Sequence, residues 1–181
     1  MSLITKEDTL LIVIDFQEKL MPAMHDKEEL EDRTVRLIKG TEALGIPKIV
    51  TQQYTRGIGN TIPSISEALG EFTPIDKTSF SCLGNEDFAE QLREYDRKNI
   101  VICGIEAHIC VLQTALQLME EGYRVYVAAD CISSRNINDK LWGAERMERA
   151  GAVITTYEAV LYEILGDAKA EGFKAVSAIV K

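Results

Sequence analysis

The sequence predicts an α/β fold in which helices cover both faces of a mostly parallel sheet. Continuous apolar, β-branched runs recur along the chain, and such runs are typical of parallel strands buried on both faces. Segments with apolar residues at helical spacing alternate with these runs, which favours right-handed βαβ units. The 181 residues are enough for a sizeable core, and no domain boundary, internal repeat or low-complexity stretch interrupts them, so we expect a single domain over 1–181.

The first half of the chain begins this alternation. An apolar run that ends at Asp15 predicts a central strand, and the helix after the following loop stops at Gly45. The third strand is weaker, because Pro74 favours an edge or irregular strand, and Lys77 follows it. In this half the expected strands are 9–14, 48–53 and 72–76, the expected helices are about 27–44 and 64–69, and the expected loops are 16–22 and 54–63.

The second half continues the same pattern. Asn85 suits the N-cap of its first helix, and Gly122 and Gly151 lie just past the ends of two others. Asp130 marks the end of the fifth strand, and a loop is expected after it. Here the expected strands are 99–103, 124–129 and 153–155, the expected helices are 86–95, about 109–121, 137–150, 157–165 and 171–180, and the exit loop is 131–135.

Charge and composition argue against several classes of partner and site. The net charge of −9 disfavours nucleic acid and anionic membranes, which select a basic face. No apolar run approaches the ~18 residues of a membrane span, and the N-terminus lacks the layout of a signal peptide. The four scattered cysteines are therefore expected to be reduced in a cytoplasmic protein. His25 and His108, the two histidines, are far apart, so no zinc site is expected.

The stretch 99–116 carries the clearest chemical signal. A buried strand stops at Gly104 and a helix begins near Ile109, which places Cys110 in the first turn of a helix that follows a strand. The free N–H groups and the positive end of the macrodipole in that turn favour a thiolate. Ligands also bind at this edge of open parallel sheets. The alternative is a buried structural cysteine, which is the commoner fate of a free Cys.

Asp15 and Lys77 lie at or just beyond two other expected strand ends, so the sheet can bring them to Cys110 in one crevice. A nucleophile, a base and a cation together suit acyl transfer. Cys110 would attack, Asp15 would accept its proton and return it to the leaving group, and Lys77 would hold Asp15 and favour the thiolate. N–H groups at the helix start could stabilise the oxyanion. His108 is a rival base, but residues i and i+2 of a helix point away from each other.

Three segments resemble the isochorismatase-like cysteine hydrolases, the group that includes nicotinamidases and related amidases. The segments follow the family's order and spacing, and the similarity extends over nearly the whole chain. The matching segments are 11–17 (LIVIDFQ), 76–80 (DKTSF) and 104–111 (GIEAHICV), which runs into Thr114 and Ala115. The stretches 54–61, 104–108 and 133–135 are similar to the subgroup named isochorismatase domain-containing proteins.

The resemblance implies a three-layer α/β/α sandwich with a six-stranded, mostly parallel sheet. It implies that Asp15, Lys77 and Cys110 are the catalytic triad. It also implies a cis peptide bond between Ile105 and Glu106, with the N–H groups of Glu106 and Cys110 forming the oxyanion hole. Family members commonly form dimers or larger assemblies, so the resemblance implies a homo-oligomer.

Two departures from the family pattern narrow the expected activity. Nicotinamidases hold a metal with an Asp and His residues after the second strand, whereas 52–56 reads QQYTR here. We therefore expect no catalytic metal and no other cofactor. True isochorismatases cleave a vinyl ether and lack the nucleophilic cysteine at the position of Cys110, so its presence favours hydrolysis of an amide or a similar acyl compound.

The substrate-facing residues are less defined. Small or hydroxyl residues often occupy the position of Glu106 in relatives. Its side chain either turns into a hydrogen-bonded wall or presents a carboxylate to a polar or cationic substrate group, and the sequence leaves both open. Phe16, Gln17 and Tyr54 are expected to bind substrate on the basis of position alone.

The expected function is cysteine-dependent hydrolysis of a C–N bond in a small amide or carbamoyl compound, through a thioester. One alternative is a binding or scaffold protein that keeps the fold without catalysis, and another is an isochorismatase-type hydrolase. A redox-responsive thiol protein is less favoured, because no resolving partner for Cys110 is evident.

Overall fold

The structure, a computed structural model, describes residues 3–181 and contains one six-stranded sheet. The strands are β1 (Thr9–Ile14), β2 (Lys48–Gln53), β3 (Ile75–Lys77), β4 (Asn99–Ile105), β5 (Arg124–Ser133) and β6 (Val153–Thr155). In space they follow the order β3-β2-β1-β4-β5-β6, and each neighbouring pair is parallel. The predicted parallel sheet is therefore confirmed.

Helices connect the strands in the predicted alternation. They are α1 (Lys27–Ala43), α2 (Thr55–Ile58), α3 (Pro63–Leu69), α4 (Glu86–Tyr95), α5 (Leu112–Glu120), α6 (Ile137–Ala150), α7 (Tyr157–Leu165) and α8 (Phe173–Val180). A π-helical turn, Ala107–Val111, comes directly before α5. Within residues 3–181, none of the helices has the length and apolarity that a membrane span needs.

Two apolar clusters fill the spaces between the sheet and its helices. Leu11 and Val13 point into a cluster with residues of α1, α3, α7 and α8. Leu10, Ile12 and Ile14 point the other way, into a cluster with residues of α4, α5 and α6. Because alternate side chains enter opposite clusters, β1 is buried along its whole length, which explains its uninterrupted apolar run. The α/β/α sandwich is confirmed.

The predicted ends of two strands are wrong at the carboxyl edge of the sheet. β4 continues past Cys103, and β5 runs through 131–133, which we expected to be a loop. The register of this pair shifts between Ile102 and Gly104, after which Gly104 pairs with Ile132. Residues 128–131 lie within that irregularity, so the polar Asp130 interrupts the regular pairing of β5 without ending it.

Local contacts set four other boundaries differently from the prediction. Lys77 belongs to β3, because it pairs with Gln53 at the end of β2. The expected loop 54–63 contains the short helix α2, closed by a bond from the Gly57 N–H to the Tyr54 carbonyl. The turn that carries Cys110 begins at Ala107 because it is π-helical. The last helix starts after Gly172, whose φ of +90° does not fit a helix.

Candidate active site

The carboxyl ends of β1 and β4 lie side by side at the point where the order of the strands reverses. From β1 the chain builds the sheet outward to β2 and β3, and it then returns to the other side of β1 with β4. Ligands of open parallel sheets bind at such a switch point. Asp15 follows β1 directly, and Cys110 is the fourth residue of the π-helical turn after β4. Both therefore lie at the expected crevice.

Gly104 allows β4 to approach β1 immediately before Asp15. Its φ is +153°, and a Cβ on it would lie 2.5 Å from the Cβ and 2.6 Å from the carbonyl oxygen of Ile14. A side chain at this position would require the two backbones to move apart. The glycine that we expected to end the strand instead lies inside β4 and sets the spacing at the site.

Asp15 and Lys77 form an ion pair that is closed to solvent. Lys77 Nζ lies 2.8 Å from Asp15 Oδ2, and both side chains have no exposed surface. The other carboxylate oxygen, Oδ1, accepts a hydrogen bond of 2.8 Å from the Thr51 hydroxyl. Asp15 has a φ of +56°, a left-handed conformation that Asp tolerates better than most residues. Each carboxylate oxygen thus has its own donor, which fixes the orientation of the carboxylate.

Lys77 is held as an ammonium. Burial alone would lower its pKa, but the Asp15 carboxylate opposes burial, and the pKa of Lys77 is raised above its ordinary value. Its Nζ also donates to the carbonyl oxygens of Ser79 and Phe80, at 3.2 and 3.1 Å. The loop after β3 therefore closes around the Lys77 ammonium.

The predicted thiolate at Cys110 is wrong for the free protein. Burial, and then the negative charge of Asp15, raises the pKa of the Cys110 thiol to about 12, although Lys77 lowers it. A side-chain hydrogen bond with Asp15 acts in the same direction as burial. Cys110 is only 7% exposed, so loss of hydration outweighs the effect of the helix terminus. Cys110, the predicted nucleophile, is therefore a neutral thiol whose proton is directed towards Asp15.

The turn that carries Cys110 is fixed from two sides. The peptide bond Ile105–Glu106 is cis, the bond for which the resemblance implied this conformation. The N–H groups of Ile109 and Val111 both donate to the Glu106 carbonyl, at 3.1 and 3.3 Å. On the far side α6 packs so closely that a Cβ on Gly143 would lie 3.0 Å from the Cα of His108.

Glu106 forms a second ion pair at the same edge. Its Oε2 accepts hydrogen bonds from the backbone N–H and the Nε of Arg135, both at 3.1 Å. The Glu106 side chain is 9% exposed, whereas that of Arg135 is 65% exposed. This contact favours the first of the two alternatives for Glu106, in which its carboxylate forms part of a hydrogen-bonded wall.

His108 connects the turn to the end of β5. Its Nδ1 lies 2.9 Å from the Ser134 hydroxyl, and the Ser133 hydroxyl donates to the His25 carbonyl at 2.8 Å. Because its ring is engaged on this side, the structure favours a structural role for His108 over that of a rival base.

The three expected substrate-binding residues lie in different environments. Phe16 is 1% exposed and packs in the cluster under α1. Gln17 has no exposed surface, and its amide bonds to the backbone of Gln53 and Gly59. Neither has surface with which to contact a substrate in this structure. Tyr54 is 51% exposed and follows β2 at the edge that holds the site.

Sequence reasoning missed two polar residues of β2 that contact the ion pair. Gln53 Oε1 accepts a hydrogen bond of 2.7 Å from Lys77 Nζ, and Thr51 bonds to Asp15. Both lie near the carboxyl end of β2, the same edge as Asp15 and Cys110. The rule that gathers strand ends at one edge could therefore have identified Gln53.

The segment 52–56 corresponds to the place after the second strand where nicotinamidases hold a metal. Its Gln53 and Thr55 side chains form hydrogen bonds with other groups of the protein. Gln53 Oε1 bonds to Lys77, and the Thr55 hydroxyl donates to Asp76 Oδ1 at 2.7 Å. No group of three or more His, Cys, Asp or Glu side chains in the part of the chain that the structure describes could hold a metal ion. The donor set does not fit such a metal, and metal independence stays a prediction.

Comparison with known proteins identifies the family. The model of the Isochorismatase domain matches residues 9–159. The chain belongs to the isochorismatase family. It is 38% identical over 176 residues to isochorismatase domain-containing protein 2 of Xenopus laevis, and the matched region covers 97% of this chain and 84% of the relative. The predicted family is therefore confirmed.

Two solved structures share the whole architecture. The MAR1 ribonuclease of Caenorhabditis elegans superposes with a TM-score of 0.93 at 38% identity, covering 99% of this chain and 92% of that one. The YcaC gene product of Escherichia coli, an octameric hydrolase of unknown specificity, gives a TM-score of 0.92 at 23% identity, covering 99% and 91%. The chain thus has the isochorismatase-like hydrolase fold.

Proposed function

We propose that the protein is a cysteine hydrolase that cleaves the C–N bond of a small amide or carbamoyl compound. The observation that carries this proposal is the solvent-free ion pair of Asp15 and Lys77 beside the Cys110 thiol. A buried charge pair is costly to maintain and is not needed for a stable core, so its position next to a thiol favours a chemical role.

The first half of the reaction forms a thioester. Asp15 takes the proton of the Cys110 thiol as the sulfur attacks the substrate carbonyl carbon, so the thiolate exists only during attack. The N–H groups of Glu106 and Cys110 would stabilise the oxyanion of the tetrahedral intermediate. When that intermediate collapses, the C–N bond breaks and Asp15 returns its proton to the departing amine.

The second half releases the acid. Asp15, again a carboxylate, takes a proton from a water molecule that attacks the thioester carbonyl. The C–S bond then breaks, and the Cys110 sulfur recovers the proton from Asp15. Lys77 stays protonated throughout, since its raised pKa keeps it cationic at neutral pH, and its charge holds the carboxylate in place.

The test is a screen of ammonia release from small amides, carbamoyl compounds and nicotinamide. Wild type is run beside Cys110→Ala, Lys77→Met and Cys131→Ala, a change at a buried thiol in the cluster under α1. We expect hydrolysis that is lost in the first two variants and kept in the third. Silence across the panel, with no reaction of Cys110 towards a small electrophile, would favour the non-catalytic binding protein.

RNA cleavage is a second candidate, because the MAR1 ribonuclease of Caenorhabditis elegans is 38% identical to this chain. The net charge of −9 opposes it, since affinity for RNA comes largely from cations that contact phosphates. Incubation with a labelled RNA of mixed sequence at low salt decides between the two. Cleavage by wild type but not by Asp15→Asn would replace our proposal.

The proposal includes five properties of the whole protein. Its substrate is a small molecule, it acts in the cytoplasm without cofactor or nucleic acid, and it forms a homo-oligomer. The octameric state of the YcaC gene product supports the last of these. Light scattering after gel filtration should give a mass that is a multiple of the 20.2 kDa chain, and a single-chain mass would contradict it.

A further inference from the structure

We propose that Gln17 and Gln53 form a neutral clasp, defined by these two side chains, that positions the Lys77 ammonium against Asp15. Both are positioning residues, because each acts on the reaction only through Lys77. The inference rests on the proposed function, in which Lys77 holds the catalytic carboxylate. It also gives Gln17 a role different from the substrate contact expected from its position.

Lys77 Nζ has more oxygen partners than it has hydrogens. Its two shortest contacts are with Gln53 Oε1 at 2.7 Å and Asp15 Oδ2 at 2.8 Å, and the two loop carbonyls are 3.1 Å or more away. Among residues 3–181, Asp15 and Gln53 are the two side chains that accept hydrogen bonds from this ammonium. Gln53 therefore helps to fix the position of the ammonium beside the Asp15 carboxylate.

The contacts of Gln53 permit one orientation of its amide. Oε1 faces the ammonium, and Nε2 donates to the Thr78 carbonyl at 2.8 Å. A flipped amide would place an NH₂ group against the ammonium and an oxygen against a carbonyl. The acceptor is therefore held towards Lys77 by the bond that Gln53 makes on its other side.

Gln17 holds the backbone of Gln53 in a reciprocal pair of bonds. The Gln53 N–H donates to Gln17 Oε1 at 2.7 Å, and Gln17 Nε2 donates back to the Gln53 carbonyl at 3.0 Å. The second N–H of Gln17 reaches the Gly59 carbonyl at 2.7 Å. Gln17 itself follows Asp15 by two residues, and its N–H donates to the Asp15 carbonyl at 2.8 Å. The contacts thus form a closed circuit from Asp15 through the clasp to Lys77.

The neutrality of the clasp matters for the thiol. One anion and one cation are buried beside Cys110, so their charges cancel around the thiol. A carboxylate in place of Gln53 would add a second anion on the ammonium. Like Asp15, that anion would favour the protonated thiol and would compete for Lys77.

The test is the rate at which iodoacetamide alkylates Cys110 in Gln53→Glu, followed by peptide mass spectrometry. This readout needs no substrate, and the other three cysteines have no exposed surface. We expect Gln53→Glu to react about tenfold more slowly than wild type at pH 8.5, as a rise of about one unit in the pKa of the thiol requires. Disruption of the fold would instead expose Cys110 and speed its alkylation.

Gln52→Glu is the matched control. Gln52 is the neighbouring residue of β2, is 5% exposed, and points to the opposite face of the sheet. Its amide bonds to the hydroxyls of Thr55 and Thr61, and the Thr61 hydroxyl can also donate to a carboxylate. We expect iodoacetamide to alkylate Cys110 of Gln52→Glu at the wild-type rate. Equal slowing in both variants, or none in Gln53→Glu, would overturn the clasp.

A second variant tests whether Gln53 acts through Lys77. Gln53→Met removes the acceptor without adding charge, so Lys77 loses the contact that positions it. We expect slower alkylation of Cys110 when this change is made alone. We expect no further slowing when it is added to Lys77→Met. An equal effect in both backgrounds would contradict the proposed route. If these results hold while the amide screen stays silent, the clasp stands and the hydrolase proposal fails. If amides are hydrolysed and Cys110 of Gln53→Glu is alkylated at the wild-type rate, the hydrolase proposal stands and the clasp fails.

Discussion

Two ion pairs lie at the same edge of the sheet, and they differ in their access to water. Lys77 and Asp15 are 2.8 Å apart and have no exposed surface. Arg135 and Glu106 are 3.1 Å apart, and the arginine side chain is 65% exposed. The acidic partner of each pair follows a strand directly, Asp15 after β1 and Glu106 after β4, so the two pairs share a location and differ in environment.

The difference indicates what each pair can do. In water-free surroundings a charge must be matched, and removal of one partner leaves the other uncompensated. The inner pair can therefore orient a carboxylate and influence a thiol. The outer pair is screened by solvent and contributes little to stability, so its role is to fix the Glu106 side chain at the rim.

The largest expected effect comes from Asp15→Asn, which removes the negative charge of the inner pair. Hydrolysis of any substrate found in the screen should fall about 10²-fold or more, because the base is lost. Alkylation of Cys110 by iodoacetamide should rise about tenfold, because the charge of Asp15 raises the pKa of the thiol. Asp76→Asn, at an exposed carboxylate beside Lys77, is the control and should change neither rate.

The two pairs should also differ in their contribution to stability. Lys77→Met leaves a buried carboxylate without its cation, and we expect the free energy of unfolding to fall by about 3–5 kcal/mol. Arg135→Met breaks an exposed pair and should cost about 1 kcal/mol or less. Urea denaturation at pH 7 measures both. Similar losses in the two variants would remove the distinction between the pairs.

Alkaline pH should lower the free energy of unfolding, because the buried thiols are held neutral in the folded protein. Burial raises the pKa of Cys82 from 9.0 to about 11, and the pKa of Cys103 and Cys131 is raised further. A folded-state pKa above the unfolded one means that stability is complete below pH 9 and is lost as the pH rises. Each thiol should then cost about 1 kcal/mol of unfolding free energy at pH 10.

Urea denaturation at pH 8 and pH 10 checks this sign. Lys77 acts in the same direction above its ordinary pKa of 10.5. Cys103→Ala should lose less stability than wild type between the two pH values, since it has one buried thiol fewer. Stability that stays constant or rises with pH would be evidence against neutral thiols in the folded protein.

The smallest expected effect is that of metal removal. Incubation with EDTA followed by gel filtration should leave both the hydrolysis rate and the melting temperature unchanged, because the oxygens at 52–56 are bonded within the protein. A loss of rate that zinc or manganese restores would place a metal at the site and would contradict the protein-only mechanism.

The fold could be predicted well because its central strands, β1 and β4, are buried along their whole length. β1 is apolar from end to end and pairs on both sides, so its sequence has one interpretation. The end of β5 could not be predicted, since Asp130 resembles a strand terminus, and the irregularity that accommodates it depends on pairing with β4.

The site shows the same division between local and long-range information. Strand ends locate Asp15 and Cys110 from the sequence, but the contacts of Gln53 and Arg135 join residues that are 24 and 29 positions from their partners. The direction of the shift at Cys110 was also missed. A helix terminus is visible in the sequence, whereas the loss of hydration that outweighs it depends on the packed structure.

The most direct test of the inner pair as a catalytic device is to trap an acyl group on Cys110. Wild type is mixed with p-nitrophenyl acetate, quenched in acid and digested for mass spectrometry. We predict one acetyl group on the peptide that contains Cys110, removable by neutral hydroxylamine as a thioester is, and much less of it in Lys77→Met, which lacks the cation that lowers the pKa of the thiol. Acetyl groups confined to lysines, or equal labelling of Cys110 in the two proteins, would contradict the account.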